Sequence, residues 1–140
     1  MRTHRTASEE ETIVLGERLA RELPRRGVVL LIGDLGAGKT TIAKGIVKGL
    51  AAAPPEDVSS PTFTLIHEYG TEGRVYHIDL YRIDTERELQ TLGIDDLLAP
   101  ESILLIEWGE KFSRFERERD IEITLERVGD TGRRIQRATG

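Results

Sequence analysis

Gly33-Asp34-Leu35-Gly36-Ala37-Gly38-Lys39-Thr40-Thr41 decides how the rest of the chain is read. The stretch fits G-x-x-x-x-G-K-[ST], a loop whose backbone amides wrap a phosphate. Upstream, Val28-Val29-Leu30-Leu31-Ile32 is an apolar, β-branched run that predicts a buried strand. Downstream, Ile42, Ile46, Val47 and Leu50 recur at helical spacing. The glycines therefore lie between a strand and a helix N-terminus, where free N–H groups and the helix dipole favour an anion. In that pattern Lys39 reaches the β- and γ-phosphates and the Thr40 hydroxyl holds Mg²⁺.

The fold expected from this core is α/β: a single P-loop domain spanning 1–140, with a mixed sheet flanked by helices. Hydrophobic residues make up 38% and charged residues 32%, and no apolar run approaches a membrane span. There is no cysteine, which excludes disulfides and thiolate metal sites and is compatible with a cytoplasmic location. A net charge of −5 argues against broad, autonomous nucleic-acid binding. Positive charge gathers at both ends, in Arg2, His4 and Arg5 and in Arg127, Arg133, Arg134 and Arg137. Such runs suit either a solvated surface or a docking face for a larger partner.

Along the chain, 3–7 predicts a short edge strand. Ser8 and Glu11 form a capping box for a helix running to about Leu23, where Pro24 ends it. Residues 51–57 read as a loop. Alternation over 62–69 predicts a strand that 70–73 turns into a second strand over 74–80. Asp84 is the expected cap of a helix ending near Gly93. Ser102 to Ile106 predicts a buried strand, and 109–115 a helical stretch with Phe112 and Phe115 inward. Ile121, Ile123 and Leu125 alternate on one face before a terminal hairpin turned by 129–132.

Hydrolysis needs more than a phosphate loop: it needs Mg²⁺ ligation and an oriented water. Acids at strand ends supply both in open α/β sheets. Glu107 ends the run 103–106, and Asp79 ends 76–78. Either can hold Mg²⁺ while the other polarises the water. Thr62, between the phosphate-loop helix and the next strand, occupies the interval where GTPases keep a γ-phosphate sensor. Trp108 offers an aromatic face to adenine, to a partner, or to the core. His4, His67 and His77 lack metal-ligand spacing and read as packing or surface residues. Arg82 pairs with an acid or supplies transition-state charge. The chain has no asparagine, so the guanine-reading Asn-Lys-x-Asp motif is absent and ATP is the expected nucleotide.

Taken together, 33–41, Ser-Pro-Thr-Phe-Thr-Leu (60–65), His-x-Asp-Leu-Tyr-Arg (77–82) and Ile-Glu-Trp-x-Glu-Lys (106–111) resemble the TsaE family, over nearly the whole chain. That resemblance implies an ATPase needed for N6-threonylcarbamoyladenosine at position 37 of tRNAs reading ANN codons. It implies TsaD and TsaB as protein partners, with tRNA met through that complex. It further implies that Gly33, Asp34, Leu35, Gly36, Ala37, Gly38, Lys39, Thr40 and Thr41 bind phosphates, and that Thr40 and Glu107 ligate Mg²⁺. Asp79 would assist catalysis, Thr62 act as a switch, Trp108 lie beside the nucleotide, and the segment around Glu9 and Thr12 border the adenine. A small-molecule kinase and a nucleotide-gated binding module are the competing readings of the same loop. The first would need an acceptor pocket and a lid, for which this length leaves little sequence.

Overall fold

The computed structural model describes residues 2–139. They form one seven-stranded mixed sheet in the order β1-β7-β6-β2-β5-β4-β3. The strands are β1 Arg2–Thr6, β2 Gly27–Ile32, β3 Ile66–Tyr69, β4 Val75–Asp79, β5 Ile103–Glu107, β6 Ile121–Val128 and β7 Gly132–Thr139. The four inner strands β6, β2, β5 and β4 run parallel, while β1, β7 and β3 are antiparallel to their neighbours. The helices are α1 Glu9–Ala20, α2 Lys39–Gly49, α3 Glu86–Thr91 and α4 Ser113–Glu118. Among the described residues no helix is long and apolar enough to cross a membrane.

Strand periodicity divides the core into two layers. Val29, Leu31, Ile103, Leu105, Ile121 and Ile123 face α1 and α2, meeting Leu15, Leu19, Ile42 and Ile46. Val28, Leu30, Leu104 and Ile106 face the other way, against Leu89, Ile94, Phe112 and Phe115. Both faces of β2 and β5 are covered, which is why these strands read as unbroken apolar runs.

Helices α1 and α2 touch backbone to backbone. A Cβ on Gly45 would lie 2.1 Å from the Ile13 carbonyl oxygen, and one on Gly16 would lie 2.6 Å from that of Ile42. This contact fixes α1 against the helix that follows the phosphate loop.

Three expectations need correction. Helix α1 ends at Ala20, one turn before Leu23, and the chain reaches Pro24 through turns bonded to Arg18, Leu19 and Ala20. The strand expected over 62–69 covers only Ile66–Tyr69. Leu65 takes a positive φ of 70° and its N–H bonds the Pro61 carbonyl at 2.6 Å, so 61–65 is a closed turn. The cap of α3 is Thr85, whose hydroxyl accepts from the Glu88 N–H at 3.1 Å. Glu88 answers by accepting from the Asp84 N–H, so the capping box belongs to Thr85 and Glu88.

The phosphate loop and its acidic wall

The phosphate loop joins β2 to α2 at the carboxyl end of the parallel strands. Gly36 and Gly38 hold φ of 79° and 104°, conformations that only glycine adopts without strain. Helices α1 and α3 begin with a side-chain cap and acidic first turns, whereas α2 begins with neither. Its first amides are left for an external anion, and a negative ligand there also meets the positive end of the helix dipole.

A cavity of about 340 Å³ opens over this loop. Leu35, Gly36, Gly38, Lys39, Thr40 and Thr41 of the loop and helix line it. So do Thr62, Asp79, Glu107 and Trp108, together with Ser60, Tyr81 and Arg133. Strand register explains the acidic wall: Asp79 and Glu107 are direct partners at the ends of the parallel pair β4–β5. Both are buried, at 3% and 4% exposure. Asp79 Oδ2 accepts from the Thr62 hydroxyl at 3.1 Å and from Ser60 at 3.4 Å, and Oδ1 accepts from the Tyr81 N–H at 2.9 Å. The 60–65 turn is thus tied by its hydroxyls to the acid at the end of β4.

Lys39 is also buried. Its ammonium donates to the Gly33 carbonyl at 2.6 Å and stands 3.7 Å from the centre of the Trp108 ring. Burial pushes the Lys39 pKa below its ordinary value, while the Glu107, Glu110, Asp79 and Asp34 carboxylates pull it back up. A polyphosphate would supply the anionic partner that this desolvated ammonium lacks. Trp108 adopts a positive φ of 64° directly after the strand and leans on Tyr81 with ring centroids 5.2 Å apart.

Glu9 and Thr12 do not share that cavity with Trp108. They line an adjoining one of about 260 Å³ with Asp130, Thr131, Gly38, Thr41 and Arg133. Gly33, Asp34 and Ala37 serve the loop's own shape: Gly33 accepts from Lys39, and Asp34 accepts from the Ala37 N–H at 3.0 Å. Arg82, expected to pair with an acid or to supply transition-state charge, lies over the exposed Phe63 ring at 5.3 Å.

Three residues near the site escape a reading by local pattern. Arg133, from β7, donates to the Gly36 carbonyl at 3.2 Å and to the Gly132 carbonyl at 2.7 Å, and it lines both cavities. His77 is fully buried beside Glu107, with 2.5 Å between Nε2 and Oε2. Glu110 has a buried Oε1 with no hydrogen-bond partner, and burial raises its pKa despite nearby Lys39. His77 and Glu110 stand in the motifs 77–82 and 106–111, but the contacts of His77 and Arg133 follow from the sheet order, which sets β4 beside β5 and β7 beside β6.

The side chains lining the cavity that could hold a metal offer oxygen, among them the Thr40 hydroxyl and the Asp79 and Glu107 carboxylates. No cluster of three or more His, Cys, Asp or Glu residues suited to a metal occurs among the described residues. These donors fit Mg²⁺, which takes one or two protein ligands and shares the rest of its shell with phosphates and water.

Comparison with known proteins gives a consistent result. The family model described as "Threonylcarbamoyl adenosine biosynthesis protein TsaE" matches residues 6–135. A Haemophilus influenzae protein named tRNA threonylcarbamoyladenosine biosynthesis protein TsaE is 43% identical over 104 residues, 74% of this chain and 65% of that protein. A protein of the same name from Aquifex aeolicus is 38% identical over 130 residues, 92% of this chain and 90% of that one. The crystal structure of Bacillus subtilis YdiB superposes with a TM-score of 0.71 and 32% identity, covering 99% of this chain and 86% of that chain.

Proposed function

The chain belongs to the TsaE family of threonylcarbamoyl adenosine biosynthesis, and from that premise we propose that it is the Mg²⁺-dependent ATPase of the pathway. Its 140 residues act as a single P-loop domain in the cytoplasm. The observation that carries the reading is the meeting of Lys39, Thr40, Thr62, Asp79 and Glu107 around one cavity.

In the proposed reaction a water oxygen bonds to the γ-phosphorus of ATP, and the bond to the β–γ bridging oxygen breaks to leave ADP and phosphate. Lys39 and the amides of 36–41 bind the phosphates and offset the charge spread over their oxygens. Thr40 and Glu107 would hold Mg²⁺, which when bound neutralises the β- and γ-oxygens. Asp79 orients the attacking water and takes up its proton. Trp108 lies beside the nucleotide, its ring face 3.7 Å from the Lys39 ammonium. Glu9 and Thr12 border the adenine in the adjoining cavity.

Thr62 supplies the gate. While its hydroxyl is bonded to Asp79 it is withheld from the γ-phosphate and occupies the acid needed for water. Basal turnover is then slow, and binding to TsaD and TsaB reorders 60–65 to release both groups. Hydrolysis resets the TsaB–TsaD pair between rounds of N6-threonylcarbamoylation on tRNAs reading ANN codons. The test is ATP hydrolysis by the purified protein with Mg²⁺, with and without TsaD and TsaB. Slow turnover that rises with the pair supports the reading. Turnover unmoved by the pair, with no complex formed, refutes the partner role.

A further inference from the structure

We propose that His77 is a positioning residue for the Glu107 carboxylate. The inference rests on the metal-binding role given to Glu107 above and extends it to a residue that does not itself touch nucleotide.

The strand register creates the contact. Asp79 pairs with Glu107 across β4 and β5, and His77 lies two residues before Asp79 on the same face of β4. The imidazole therefore arrives beside the glutamate from within the sheet. It is 0% exposed, and Glu107 is 4% exposed. A carboxylate offers only lone pairs, so the hydrogen between Nε2 and Oε2 belongs to the imidazole and His77 donates. Because the acceptor is a carboxylate, the bond is charge-assisted and stronger than one between neutral groups. With Oε2 fixed, Oε1 is left for the cavity that Glu107 lines.

His77 Nδ1 is buried with no partner. A histidine serving only as core would place both nitrogens where they are satisfied, or give way to an apolar residue of similar volume. Here one nitrogen is left unpaired so that the other can meet Glu107. The hydrogen-bonded partners of metal ligands set both orientation and affinity, and losing one costs about 10- to 100-fold in metal affinity or activity.

The experiment compares His77→Leu, which removes the donor, with His77→Gln, whose amide can present an N–H near the Nε2 position. Fluorescence of Trp108, the chain's single tryptophan, reports ADP binding in EDTA and over a Mg²⁺ titration; melting temperature reports folding. The expected result is a Mg²⁺ half-saturation raised about 10- to 100-fold in His77→Leu, with metal-free ADP affinity unchanged. His77→Gln should recover to within a few-fold of the parent. A Mg²⁺ response that survives His77→Leu overturns the proposal alone. So does a folded His77→Gln as impaired as His77→Leu, or a loss of metal-free binding that parallels the loss with Mg²⁺. An unmutated chain that binds ADP without any Mg²⁺ effect overturns the metal reading and this inference together.

Discussion

Gly45→Ala tests whether the nucleotide site depends on the close crossing of α1 and α2. Two effects compete. In a helix interior alanine is favoured over glycine by about 1 kcal/mol. Against this, the new methyl would stand 2.1 Å from the Ile13 carbonyl oxygen and 2.9 Å from the Gly16 Cα. Close C···O contacts settle near 3.3 Å, so the helices must part by roughly 1 Å. The obstacle is backbone on a rigid helix, and a methyl has no alternative rotamer. Overpacking of this kind costs typically 1–3 kcal/mol, and this geometry belongs at the upper end. The net loss is about 2 kcal/mol, or about 6–8 °C in melting temperature for a domain of this size. Circular dichroism melts of the nucleotide-free protein measure it. The site should suffer too, because α1 carries Glu9 and Thr12 while α2 carries Lys39 to Thr41. A Gly45→Ala protein melting at or above the parent would refute the reasoning, since helix propensity would then outweigh the contact.

Lys39→Ala should abolish ATP hydrolysis in a steady-state phosphate-release assay, and near-normal turnover would count against the site. Arg133→Ala removes the hydrogen bond from the hairpin to the Gly36 carbonyl of the phosphate loop; amide exchange at 34–38 should speed up by about tenfold, read by mass spectrometry. Glu110→Gln concerns pH. The folded-state pKa of Glu110 is raised, so its contribution to stability is fully present below about pH 4.5 and is lost as pH rises through the higher folded value. The glutamine variant should therefore be the more stable protein at pH 7 and lose that advantage in acid, as urea melts at both pH values would show.

What could be read from sequence was what local pattern encodes. Glycines at 36 and 38 mark positive-φ positions, unbroken apolar runs mark β2 and β5, and alternation at 121–125 marks the inward face of β6. Three of the failures share one cause, a distant partner overriding local preference. The turn at 61–65 displaces a strand because Thr62 and Ser60 find Asp79, an acid nearly twenty residues away. His77 reads as an ordinary strand residue until β4 is set beside β5, and Arg133 reads as surface charge until β7 is folded onto the loop. Thr85 outcompetes Asp84 as a cap because only Thr85 has Glu88 at the capping-box spacing.

The pairing of β1 with β7 bears on how the chain leaves the ribosome. Within the described sheet β1 is made first and its partner last, so at 5–20 residues per second it waits on the order of ten seconds. An orphaned edge strand invites pairing with other nascent chains, and charge on that edge discourages it. Arg2 and Arg5 provide the charge, and each must finally lie opposite another arginine, Arg137 and Arg134. Glu22, which ion-pairs with both Arg2 and Arg137, relieves one of those repulsions only after the fold has closed. The basic ends thus guard the strand while it is alone and leave it dependent on a glutamate from beyond α1 once it docks.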